Sequence, residues 1–77
     1  MIPEAISQAF YEGRRSKELP LVLNDDVTVL EGARRGTIAY VISLEGMQPE
    51  LEYLIEYEDG SSEVRKLHEL RYDGAVV

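Results

Sequence analysis

The 77-residue chain contains one histidine, His68, and no cysteine. Thiol nucleophiles, disulfides and thiolate zinc sites are therefore excluded, and any imidazole catalysis or metal binding has to rest on His68. Its neighbours Lys66, Leu67, Glu69 and Leu70 add no second soft ligand. A Ser-His-Asp triad would need dispersed residues, because no Gly-x-Ser-x-Gly elbow presents a serine. These side chains predict a protein that is not an enzyme, holds no metal and needs no cofactor.

Carboxylates are more abundant. Glu52, Glu56 and Glu58 alternate with apolar residues, which points them outward from one strand with about 7 Å per two-residue step. In a concave site such groups could hold Ca²⁺ or Mg²⁺, or act as an acid and base pair; on an exposed strand they form a solvated face. From Glu45 to Glu63 there are seven acidic residues and no basic one, a stretch that would steer a basic partner surface. Arg34-Arg35-Gly36 is the opposite patch, suited to a phosphate or carboxylate or to an ion pair with Glu31 or Asp26. Tyr40, Tyr53, Tyr57 and Tyr72 could line an aromatic pocket for a cation. The first three also fall on apolar faces, where a ring packs in the core and its hydroxyl reaches water.

The elements that must position these groups are few. A helix is expected over Ile2 to Arg15, with Ile2, Ala5, Ile6, Ala9 and Phe10 on one stripe, Pro3 and Glu4 in its first turn, and Gly13 with Arg14 and Arg15 at its stop. So short a helix has to dock, either on its own barrel or on another subunit, which makes Phe10 a candidate contact. From Leu19 the period changes: Asn24-Asp25-Asp26 is a turn cluster and Val27 to Leu30 a run of β-formers. Glu31 to Gly36 is a loop in which Gly32 or Gly36 can take positive φ. Thr37 to Leu44 is a strand with Ile38, Tyr40, Ile42 and Leu44 on one face and Thr37, Ala39, Val41 and Ser43 on the other, apolar enough on both to be central.

Gly46 and Pro49 interrupt the sheet. Leu51, Tyr53, Ile55 and Tyr57 then form the inner face of a half-buried strand, and Asp59-Gly60 signals a hairpin. Ser61 to Lys66 returns, with Val64 expected inward and Glu63 and Arg65 outward. Leu67 to Glu69 suits one 3₁₀ turn, Arg71-Tyr72 a closing strand, and 73–77 a frayed or late-docking tail.

The run Val27-Thr28-Val29 through Arg35-Gly36-Thr37-Ile38-Ala39-Tyr40-Val41 resembles a KOW-type opening, in which a basic-Gly turn leads into the second strand. Tyr53-Leu54-Ile55-Glu56-Tyr57-Glu58-Asp59-Gly60-Ser61, with Val64 and Glu69-Leu70, resembles the matching part of Tudor, KOW and photosynthetic accessory-subunit barrels. The likeness to the SH3-like small barrels covers about 24–72 and leaves the helix unexplained. It implies a mainly β fold with a small five-stranded barrel; together with the N-terminal amphipathic helix read from its spacing, the expected single domain has the helix in 1–18 and the barrel in 19–77. KOW relatives imply nucleic-acid contact through Arg34 and Arg35, and Tudor relatives a caged cation.

Fifteen acidic residues against eight basic give a net charge of -7, which disfavours nucleic acid and anionic membranes. No stretch approaches the roughly 20 apolar residues of a span, and the first residues lack a basic, then apolar, leader, so a cytoplasmic location is expected. The leading expectation is an accessory or adaptor module that recognises a protein partner through Glu52, Glu56, Glu58, Phe10, Tyr40 and Tyr57. A nucleic-acid binder using Arg34 and Arg35, and a self-associating domain or homodimer, are the alternatives.

Overall fold

A computed structural model describes residues 2–74 of the chain; the end of the expected tail, 75–77, lies outside the described residues. Helix α1 spans Glu4–Tyr11, shorter than the apolar spacing suggests. Pro3 is its N-cap, with a carbonyl that accepts the amides of Ile6 and Ser7 at 3.1 and 3.0 Å, and Glu4 sits in the first turn against the positive end of the helix. The helix stops early because Gly13 turns left-handed at φ 74°. Arg14 N–H then reaches the Ala9 carbonyl at 2.8 Å and Gly13 N–H the Phe10 carbonyl at 3.2 Å, which is a Schellman closure. Ile2, Ile6 and Ala9 lean on the core and Phe10 is wholly buried, whereas Ala5 of the expected stripe faces water.

Residues 16–25 form no helix or strand, yet Leu19, Leu21 and Val22 are buried. The segment is pinned by Asp25, whose carboxylate accepts the Val22 amide at 2.8 Å and two bonds from Arg15 at 2.6 and 3.1 Å. Five antiparallel strands follow among the described residues: β1 (Asp26–Val29), β2 (Ile38–Gly46), β3 (Glu52–Tyr57), β4 (Ser62–Lys66) and β5 (Leu70–Tyr72). One 3₁₀ turn, Leu67–Glu69, joins the last two, as expected. Their order in the sheet is β4-β3-β2-β1-β5, with β2 in the middle. β4 and β5 are the two ends and do not pair with each other, so the sheet is not closed into the expected barrel.

The inner face carries Val27, Val29, Ala39, Val41, Leu44, Tyr53, Ile55, Tyr57 and Leu70 around Phe10 and the 19–22 segment, in one core that helix and sheet share. The Phe10 and Tyr53 rings lie 6.3 Å apart, so α1 docks on its own sheet. β3 has the expected alternation. β2 does not: a bulge between Val41 and Ser43 shifts its phase, which turns Leu44 inward while Ile38 and Tyr40 stay on the outer face, and a second follows between Leu44 and Gly46. In β4 the orientation is the reverse of that expected. Ile55 faces Glu63 and Tyr53 faces Arg65, so these two side chains share the inner face, while Val64 pairs with Leu54 outside.

Candidate functional site

Two loops come together at one end of the sheet. The 30–37 loop closes where Gly36 N–H meets the Val29 carbonyl at 2.7 Å and Val29 N–H meets the Thr37 carbonyl at 2.9 Å. Gly32, at φ 91°, also lies so close to Arg65 that a Cβ there would sit 2.6 Å from Nη2. The β3–β4 hairpin is set by Tyr57 N–H on the Ser61 carbonyl at 2.9 Å and by Asp59, which accepts the Ser61 amide and hydroxyl at 2.9 and 2.6 Å. These bonds, and then Arg34, hold the Asp59 carboxyl down at about 2.

Arg34 fastens the loops to each other. Its Nη2 lies 3.1 Å from Asp59 Oδ2, and its guanidinium carbon sits 4.2 Å from the Tyr57 ring centroid. Beneath it Tyr57 is a core residue whose hydroxyl donates to Glu63; burial first, and the Glu63 carboxylate second, push that hydroxyl up to about 12. Between the loops is an open hollow of about 440 Å³ lined by Arg34, Thr37, Ile38, Tyr57, Glu58 and Asp59. Its lining residue Ile38 is 58% exposed on the outer face of the sheet, where Tyr40, 38% exposed, stands opposite Glu56.

The residues singled out in the sequence are thus divided. Tyr57 and Glu58 line the hollow, and Arg34 joins them with Asp59 as its ion partner in place of Glu31 or Asp26; Tyr40 and Glu56 do not line it but face each other farther along the sheet. Glu52 is at the far end of β3, opposite Lys66. Phe10, with no exposed surface, is a core residue and offers nothing to a partner. Arg35 lines a separate hollow with Thr28, Leu30 and Arg71. The tyrosines do not assemble into a cage: Tyr53 and Tyr57 are buried, Tyr40 is on the outer face, and Tyr72 on β5 carries the Arg15 guanidinium 4.4 Å from its centroid.

His68 is exposed and engaged. Nδ1 meets Glu50 Oε1 at 2.8 Å, the His68 backbone amide donates to Glu50 Oε2 at 3.2 Å, and Nε2 lies 3.9 Å from Glu31. Exposed Glu31 and His68 and half-buried Glu69 bring one ligand atom each within 4.8 Å of one another. Glu69, however, already accepts the Lys66 amide at 2.8 Å and Arg65 Nη1 at 3.2 Å, and these partners lower its carboxyl, the backbone bond most. The arrangement is that of a surface charge cluster in which His68 has the carboxylates of Glu50 and Glu31 as neighbours. Sequence spacing did not reveal it, since Glu50 is 18 residues away.

Ile38 lines the site but was not among the residues singled out in the sequence, where it only shared a strand face with Tyr40. The polar cross-strand partners are the signal that marks its face: Thr28 lies opposite Ile38 and Asp26 opposite Tyr40. Comparisons with protein-family models, with curated proteins and with solved structures find no match for this chain. Its function has to be read from the site. Among the described residues no helix is long and apolar enough to cross a membrane.

Proposed function

We propose that the chain is a non-enzymatic binding module that seats a segment of a partner protein in the hollow between the 30–37 loop and the β3–β4 hairpin. One observation carries this reading: exposed Tyr40 pairs across the strands with Glu56, and exposed Ile38 lines the hollow together with Glu58. An apolar contact framed by acids suits a segment in which an apolar or aromatic residue is flanked by lysine or arginine, with the net charge of -7 speeding its approach.

The strand order β4-β3-β2-β1-β5 and the 3₁₀ turn before the last strand support an SH3-like plan for the module. Function on that plan comes from the loops.

The test is selection from a displayed peptide library, followed by binding of the recovered peptides to variants. Enrichment of basic and apolar peptides that lose affinity on Tyr40→Ala and on Glu56→Lys supports the reading. Recovery of peptides indifferent to both changes refutes it, and retention of RNA through Arg35 and Arg71 would put an anion-binding role in its place.

A further inference from the structure

Among the described residues the β4 edge of the sheet has no partner strand, because β4 is the last strand in the order β4-β3-β2-β1-β5. Its phase is set at both ends. Tyr57 N–H bonds the Ser61 carbonyl at 2.9 Å, and Leu67 N–H bonds the Leu51 carbonyl at 2.8 Å. By the alternation of an antiparallel ladder, Glu63 and Arg65 turn their backbone polar groups to β3, and Ser62, Val64 and Lys66 turn theirs outward. The Lys66 amide confirms that direction, since it is capped by Glu69 Oε1 at 2.8 Å. The amides and carbonyls of Ser62 and Val64 and the carbonyl of Lys66 form the open edge, and Val64 is 48% exposed beside them.

We propose that this edge pairs antiparallel with β4 of a second copy, giving a two-fold symmetric dimer with one continuous sheet. The sequence Ser62-Glu63-Val64-Arg65-Lys66 is self-complementary in charge about Val64. With Val64 opposite its counterpart, Glu63 of each copy faces Arg65 of the other, and Ser62 faces Lys66. Only the outward-facing residues can pair. The adjacent registers that satisfy this condition set Glu63 against Glu63 or Arg65 against Arg65, so like charges oppose them. In the favoured register Val64 N–H bonds the Val64 carbonyl reciprocally and Ser62 N–H bonds the Lys66 carbonyl reciprocally, while Glu69 keeps the Lys66 amide. Each Glu63–Arg65 ion pair, 3.1 Å within one copy, extends into a row of alternating charge across the join. None of the β4 residues lines the hollow, so the dimer is tested at residues distinct from those of the proposed binding function.

The test is sedimentation of the full chain from micromolar to millimolar concentration, with amide hydrogen exchange at Val64. The expected result is a monomer–dimer equilibrium in which Val64 exchange slows as the dimer fills. Val64→Pro, which removes the outward donor at an edge position that tolerates proline, leaves a folded monomer. Glu63→Lys and Arg65→Glu chains each lose the dimer alone and regain it when mixed, because every 63–65 contact is then between opposite charges. A chain that stays monomeric throughout, a dimer that survives in folded Val64→Pro, or Val64 exchange that ignores concentration would overturn the proposal. If either charge variant fails to fold, the unaltered chain and Val64→Pro decide the matter.

Discussion

Arg34 stands over Tyr57 at 4.2 Å from the ring centroid and so ties the loop between β1 and β2 to the strand that supplies the core. The same guanidinium reaches Asp59, so one side chain fixes the spacing of both walls of the hollow. Its position also explains why two adjacent arginines have different surroundings. Arg34 turns to the hairpin, and Arg35 lies on the other side of Gly36.

Replacing that side chain tests the tie. Arg34→Gln should cost about 1 kcal/mol in a denaturant titration, since an exposed ion pair contributes little and the cation–π contact the rest. Amide shifts should change in both 30–37 and 58–61. A change confined to the first loop would show that the contact does not couple them.

Phe10 is the anchor of α1, with its ring wholly buried beside Tyr53. Phe10→Ala is expected to destabilise the monomer by about 3–5 kcal/mol, the range for an aromatic side chain removed from a packed core. Thermal unfolding measures this. A loss near zero would place the helix away from the sheet in solution.

Asp25 organises the irregular segment that brings Leu19, Leu21 and Val22 into the core. Asp25→Ala leaves the Val22 amide and a two-bond Arg15 partner without their acceptor. The expected cost is roughly 1–3 kcal/mol, discounted toward the lower end because Arg15 is partly exposed. Asp25→Asn should recover part of it, and equal stability of all three chains would contradict the assignment.

Alkaline pH should unfold the protein cooperatively. Burial pushes the hydroxyls of Tyr53 and Tyr57 up to about 12 from the ordinary 10.0. Folding therefore favours the neutral phenols: this stability is complete below pH 10.0 and is lost as pH rises through about 12. Tyrosinate absorbance for these two rings should rise together with loss of the sheet signal by circular dichroism. Their ionisation near the ordinary value, with the sheet intact, would contradict their burial.

The inner face of β3 was legible because Leu51, Tyr53, Ile55 and Tyr57 alternate without a break, and the Asp59-Gly60 turn and the 3₁₀ turn were legible in their residue types. The bulges of β2 were not. The first adds one residue to a run that is apolar on both faces, so no change of pattern marks the point at which Leu44 turns inward and Ile38 and Tyr40 stay outside. Val64 was misplaced for a related reason. Apolarity suggested an inward side chain, but the pairing of Tyr57 with Ser61 sets the phase of β4 and brings Glu63 and Arg65 to the inner face, where Glu63 accepts from the Tyr57 hydroxyl and Arg65 pairs with Glu63 and Glu69. The acidic strand and the arginine loop were both visible as patches; their meeting at Arg34, Tyr57 and Asp59 depends on tertiary contacts across 25 residues of chain.

The central claim is that the hollow and its outer rim seat a basic and apolar segment, and mapping amide shifts during titration with a library-selected peptide tests it most directly. The predicted result is a contiguous set of shifts over Arg34, Ile38, Tyr40, Glu56 and Glu58, abolished by Tyr40→Ala and weakened by added salt. Saturable binding whose shifts lie away from these residues, or that Tyr40→Ala leaves intact, would contradict it.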